Sequence, residues 1–147
     1  MGLENGRRAA NRCEAANALP KGIKMKRKEI DEFETLHGQL KAFHTEMNTL
    51  VKKNPNDTLN KFKLGLVNSV LTKANSFLGK ARLPFADFQS FDDSGLPSTS
   101  DVLMILAQYL SAFEKFRADN IYEGSFGKWY WSGGEQIPTS LPKKLEK

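Results

Sequence analysis

Cysteine and long apolar runs are scarce in this chain of 147 residues. Its single cysteine, Cys13, can form neither an internal disulfide nor a cysteine-rich zinc site. The longest uncharged apolar run, Val102–Ala107, is far shorter than the roughly 20 residues that span a bilayer. Arg12 and Glu14 interrupt the apolar stretch between residues 9 and 20, so no signal peptide is predicted. These absences predict a cytoplasmic protein with no membrane partner.

Histidine is also scarce, and the chemical motifs are incomplete. Glu34 and His37 have the Glu-x-x-His spacing of di-iron helical bundles, but the second histidine, His44, lies on the same helix, so the other half of such a site is missing. No serine lies in a Gly-x-Ser-x-Gly motif, and residues 124–128 lack the spacing of a phosphate-binding loop. We therefore predict no catalytic residue, no cofactor and no metal, and a protein that is not an enzyme.

Basic residues are concentrated at the ends of the chain. Residues 1–28 contain eight basic and two acidic residues, whereas residues 29–142 contain eleven basic and fourteen acidic ones. We interpret residues 1–25 as a flexible basic extension. The alternative is that this arm binds nucleic acid weakly and without sequence specificity, through counterion release. The arm residues of that alternative are Arg7, Arg8, Arg12, Lys24, Lys26, Arg27 and Lys28.

Two segments with helical periodicity precede the middle of the chain. The first runs from about Lys26 to Lys53, with apolar residues spaced by three or four, acidic residues early and lysines at its end. The second runs from about Thr58 to Leu78 and stops at Gly79. The short connection at residues 54–57 predicts that the two helices form an antiparallel hairpin.

A third helix is predicted to start at Ser98 or Ser100 and to end near Asn120. Its apolar residues occupy most of its circumference, so we place it at the centre of the bundle or in an oligomer interface. A bundle of only three long helices would leave part of it uncovered. The missing cover would be a second copy of the chain or another protein.

Two further segments are rich in aromatic residues. Phe85, Phe88 and Phe91 recur every three residues, which suggests a short helical turn at residues 84–91 that caps the core. Residues 125–132 suggest a short strand or an extended strap packed on the bundle. The strap carries a cluster that could cover the third helix, contact a partner protein or stack on nucleic acid. Its members are Phe126, Lys128, Trp129, Tyr130 and Trp131.

These observations predict an all-α fold in three parts. Residues 1–25 form the basic extension, residues 26–122 the bundle of three main helices and a short helical turn, and residues 123–147 the aromatic, glycine-rich strap with a basic tail. The predicted core consists of Phe33, Leu40, Phe43, Met47, Phe62, Leu66, Val70, Phe77, Ile105, Leu106, Tyr109 and Phe113.

The sequence favours a protein-interaction module that acts as an adaptor or accessory subunit of a larger, bacterial-type assembly. The predicted partner is another protein or a second copy of this chain. The predicted interaction residues are those of the aromatic cluster. Nucleic-acid binding through the basic arm and the lysine-containing aromatic tail stays as the alternative function.

Overall fold

The computed structural model describes residues 25–92, 94–133 and 136–140. This part of the chain is mostly helical and carries a small three-stranded sheet. The prediction of a mainly helical protein is confirmed, but the all-α prediction is not exact, because three short segments after residue 120 form strands. The helices are α1 (Arg27–Lys53), α2 (Lys61–Leu78) and α3 (Thr99–Asp119), and the strands are β1 (Ile121–Glu123), β2 (Trp129–Trp131) and β3 (Pro138–Thr139).

The helix ends follow local capping chemistry. The Asn60 side chain accepts a hydrogen bond from the Lys63 N–H at 2.8 Å, so α2 begins at Lys61 rather than near Thr58. The Ser98 hydroxyl accepts from the Asp101 N–H at 3.2 Å and starts α3.

Side-chain contacts define the helix directions. Phe77, near the end of α2, contacts Phe33, near the start of α1, so these helices run antiparallel as predicted. The starts of α2 and α3 lie side by side. Just before them, the Leu59 N–H donates to the Pro97 carbonyl at 3.0 Å. Therefore α2 and α3 run parallel, and both are antiparallel to α1.

The buried face of α2 differs from the predicted one. Phe62 is 75% exposed and Leu66 is 45% exposed, so their assignment to the core is wrong. Each lies two residues from Leu64, which is about 200° around a helix and hence on the opposite side. The residues of the buried seam alternate in steps of three and four, as Leu64, Val67, Leu71, Ala74 and Leu78.

The segment that connects α2 to α3 is not the predicted helical turn at residues 84–91. A short 3₁₀ turn forms earlier, at Lys80–Arg82, and two asparagines of α2 bind the later backbone. Asn68 donates to the Phe91 carbonyl and accepts from the Phe91 N–H, both at 2.9 Å. Asn75 donates to the Gln89 carbonyl at 2.8 Å. These bonds pair both backbone groups of Phe91 and the Gln89 carbonyl without a helix.

Asn75 also joins α2 to α3. The Tyr109 hydroxyl donates to the Asn75 side-chain oxygen at 2.5 Å. Burial raises the pKa of Tyr109, which keeps the phenol in its protonated, donating form.

The core is organised around Phe33, which is fully buried. Its ring lies 5.2 Å from that of Phe113 and 5.6 Å from that of Phe116, both on α3. Trp131 from β2 meets Phe33 edge-on at 4.9 Å. One aromatic cluster therefore joins α1, α2, α3 and the sheet.

The chain itself covers most of α3, so the prediction that this helix lacks cover is wrong. Its large apolar side chains are buried or half-buried, with Met104 as the exposed exception. Trp131 contacts Phe116 of α3, and Phe88 and Phe91 of the connecting segment pack against the common core.

Two glycines give a matched stability test. Gly38 lies inside α1 with open space at the position of a Cβ, so Gly38→Ala should raise the free energy of unfolding by about 1 kcal/mol. Gly79 has φ +75°, so Gly79→Ala should lower it by roughly 1–3 kcal/mol. Urea denaturation followed by circular dichroism measures both. Equal effects of one sign would contradict these helix assignments.

Candidate interaction site

The aromatic cluster near the C-terminus forms a β-hairpin, which we call the aromatic hairpin (residues 121–131). Strands β1 and β2 pair antiparallel, with Ile121 opposite Trp131 and Glu123 opposite Trp129. Strand β3 pairs with the other edge of β2. Aromatic side chains favour strand pairing because they pack on a pleated surface, and this preference explains why the segment is not helical.

The base of the aromatic hairpin is anchored in the core. Trp131 is only 1% exposed, and its backbone N–H donates to the Ile137 carbonyl at 2.9 Å. The next amide, of Ser132, donates to the carbonyl of the buried Asn120 at 2.8 Å, and the Ser132 carbonyl accepts from the Met25 N–H. The hairpin is therefore tied to the end of α3 and to the residues that precede α1.

A glycine permits one of these ties. A Cβ on Gly133 would lie 2.7 Å from the Met25 carbonyl oxygen, closer than backbone atoms tolerate. Glycine at position 133 thus allows its backbone and that of Met25 to lie close together.

The tip of the aromatic hairpin points into solvent. Phe126 is 97% exposed and has φ +62°, the left-handed region that phenylalanine rarely adopts. The turn is closed by the Gly124 N–H, which donates to the Lys128 carbonyl at 2.7 Å. The most exposed aromatic side chain of the cluster thus belongs to a non-glycine residue with positive φ.

The structure divides the predicted interaction residues into two groups. Phe126 and Lys128 are exposed, and Trp129 and Tyr130 are half-buried. Trp131 is a core residue, so the accessible part of the cluster consists of the other four. Tyr122, which sequence reasoning did not select, adds an exposed ring 5.9 Å from that of Tyr130.

Ionisable side chains connect α1 to α3, and the sequence analysis missed the two that lie on α3. His37 Nε2 lies 2.7 Å from Glu114 Oε1, and the Arg117 guanidinium donates to Glu34 Oε1 at 3.0 Å. The Arg117 guanidinium also lies over the Phe33 ring at 5.1 Å. The sequence carries a signal for this link, because Glu114 and Arg117 are three residues apart and lie among the phenylalanines of α3. Both side chains are buried, and their contacts with His37 and Glu34 link α3 to α1.

The Glu34 and His37 pair therefore has a partner on α3 in place of the second half of a di-iron motif. Among the described residues, no group of three or more His, Cys, Asp or Glu side chains is placed to hold a metal ion. None of the helices in the described ranges combines the length and hydropathy needed to cross a bilayer.

Only three of the seven residues of the alternative nucleic-acid site lie in the part of the chain that the structure describes. Lys26, Arg27 and Lys28 are exposed at the start of α1. The other four, Arg7, Arg8, Arg12 and Lys24, lie outside the described residues.

No protein-family model matches the chain, and neither does any curated protein or solved structure.

The link between α1 and α3 can be tested by replacing its buried arginine, Arg117. Arg117 is 5% exposed at its side chain, and Glu34 is 47% exposed. Arg117→Met should lower the free energy of unfolding by about 3 kcal/mol, because it removes the guanidinium that lies 3.6 Å from the buried Glu114 carboxylate. The control Glu34→Gln should cost about 1 kcal/mol or less, since its carboxylate is solvated. Equal losses in chemical denaturation would contradict the link.

Proposed function

We propose that this protein is a non-enzymatic interaction module, an adaptor or accessory subunit that binds another protein through the tip of its aromatic hairpin. The single observation that carries the proposal is the state of Phe126. A phenyl ring that is 97% exposed gains nothing from burial, and a left-handed backbone at a non-glycine residue costs about 1–2 kcal/mol. Burial of the ring in an apolar pocket of a partner would be favourable and would offset the cost of the strained backbone.

The anchoring of the hairpin supports the same proposal. The buried Trp131 and the backbone bonds of Ser132 hold its base, so the tip is presented by a framework that is already ordered. An ordered interaction residue loses less conformational entropy on binding than one on a free loop. Aromatic residues near the centre of an interface commonly dominate its binding energy.

The residues around the tip favour a protein partner over a phosphate backbone. Lys128 is exposed, but Glu123 is exposed on the neighbouring strand, and the two charges offset one another. The nearby rings of Tyr122 and Tyr130 extend the apolar contact area. A protein surface with an apolar pocket and a mixed polar rim would match this arrangement.

The proposal predicts that Phe126→Gly separates stability from binding. Glycine adopts φ +62° without strain, so the free energy of unfolding should be unchanged or higher by up to about 1 kcal/mol. Partner binding should fall at least tenfold, as expected for loss of a central aromatic residue. Thermal denaturation and a binding assay with the captured partner measure the two effects.

The partner can be captured by photo-crosslinking in cells. A benzophenone amino acid at exposed Lys128 should give a discrete crosslinked species that disappears when Phe126→Gly is added. The same probe at exposed Thr45, on α1, is the matched control. Crosslinks that persist with Phe126→Gly, or that are identical at Thr45, would contradict docking through the tip.

A further inference from the structure

A second exposed apolar surface lies on α2 and does not involve the aromatic hairpin. Phe62 and Leu66 are 75% and 45% exposed. Residues four apart are neighbours on a helix surface, so the two side chains form one continuous strip on the side opposite the buried Leu64. Lys61 and Lys63 are exposed beside Phe62. We call these four residues the α2 ridge.

Helix α2 and the residues that precede it carry mainly basic side chains. Helix α2 contains three lysines and no acidic residue. Lys61 and Lys63 occupy its first turn, where the helix dipole favours acidic side chains instead. Across residues 41–73 the chain carries six basic and two acidic residues, and all eight are exposed. No ion pair of the described residues involves the lysines of α2.

We infer that the α2 ridge docks an acidic amphipathic helix of a partner protein. The apolar face of that helix covers Phe62 and Leu66, and its carboxylates lie opposite Lys61 and Lys63. Apolar positions spaced by three and four on the partner match the spacing of the ridge. Charge complementarity specifies the partner, because a basic or neutral helix would leave the lysines without compensation.

The two ends of this chain outside the described residues are basic and supply no acidic segment. Residues 1–24 carry five basic and two acidic residues, and residues 141–147 carry three basic and one acidic. A second copy that docked the same face would oppose lysines to lysines. Leu66 gains nothing from base stacking, so the strip fits an apolar helix face better than single-stranded nucleic acid.

The direct test is a fluorescence anisotropy titration of the full chain with a synthetic amphipathic helix. The probe has the length of α2, with leucines spaced by three and four and glutamates on its other face. We expect saturable binding that weakens at least tenfold when salt is raised, because the lysine contacts are solvent-exposed. A peptide with lysine in place of every glutamate should bind at least tenfold more weakly.

Substitutions then locate the binding surface. Phe62→Ser, and separately Lys61→Glu with Lys63→Glu, should each weaken peptide binding at least tenfold while circular dichroism stays unchanged, since all three side chains are exposed. The matched charge control is Lys26→Glu with Lys28→Glu, two exposed lysines at the start of α1. This control and Phe126→Gly should leave the affinity within about twofold, which separates the ridge from the aromatic hairpin.

Several results would overturn the inference. The lysine peptide could bind as tightly as the glutamate peptide, or the glutamate peptide could show no saturable binding up to about 1 mM. The affinity for the glutamate peptide could also be unchanged in Phe62→Ser. Tighter binding to an oligothymidylate or to phosphatidylserine vesicles would assign the ridge to nucleic acid or to a lipid surface. Self-association in sedimentation that Phe62→Ser removes would assign it to a second copy.

Discussion

The ring of Phe33 is the contact on which the rest of the structure depends. It is fully buried and lies within 6 Å of rings from α1, α2, α3 and β2. Among the ring contacts of the described residues, Phe77 joins α2 to this cluster and Trp131 joins the sheet to it. Because each element meets the others at one aromatic cluster, the small sheet is a structural part of the bundle. The Arg117 guanidinium over the same ring extends the cluster to the charged link between α1 and α3.

This arrangement explains where apolar side chains remain exposed. Helix α3, the most apolar segment, is covered by its own chain except at Met104, and the larger exposed apolar surfaces lie elsewhere. Phe126 is at the tip of the aromatic hairpin, and Phe62 with Leu66 is on the outer face of α2. Neither surface is needed to close the core. The interaction function proposed for the protein therefore depends on residues whose exposure the fold does not require.

Helical periodicity predicted α1 and α3 well, because their ends carry clear signals. Lys52 and Lys53 close α1, and Ser98 caps α3. The buried face of α2 could have been predicted, since including Leu64 gives regular steps of three and four. Without it, Phe62 and Leu66 appeared to continue the apolar face.

Other features depend on contacts between distant residues, which periodicity does not report. Asn68 binds the backbone of Phe91, so the phenylalanines of that segment lie on a non-helical chain despite their spacing. The pairing of His37 with Glu114 spans helices far apart in sequence. The presence of the aromatic cluster at residues 126–131 was evident, but the exposure of Phe126 and the burial of Trp131 depend on strand register.

The central claim is that the base of the aromatic hairpin belongs to the cooperative core, and native-state hydrogen exchange tests it most directly. The amides of Trp131 and Ser132, which donate to Ile137 and Asn120, should exchange only through global unfolding. Their opening free energy should then equal that of the Phe113 amide in α3. Exchange of Trp131 and Ser132 through local opening, with α3 still fully protected, would contradict the account.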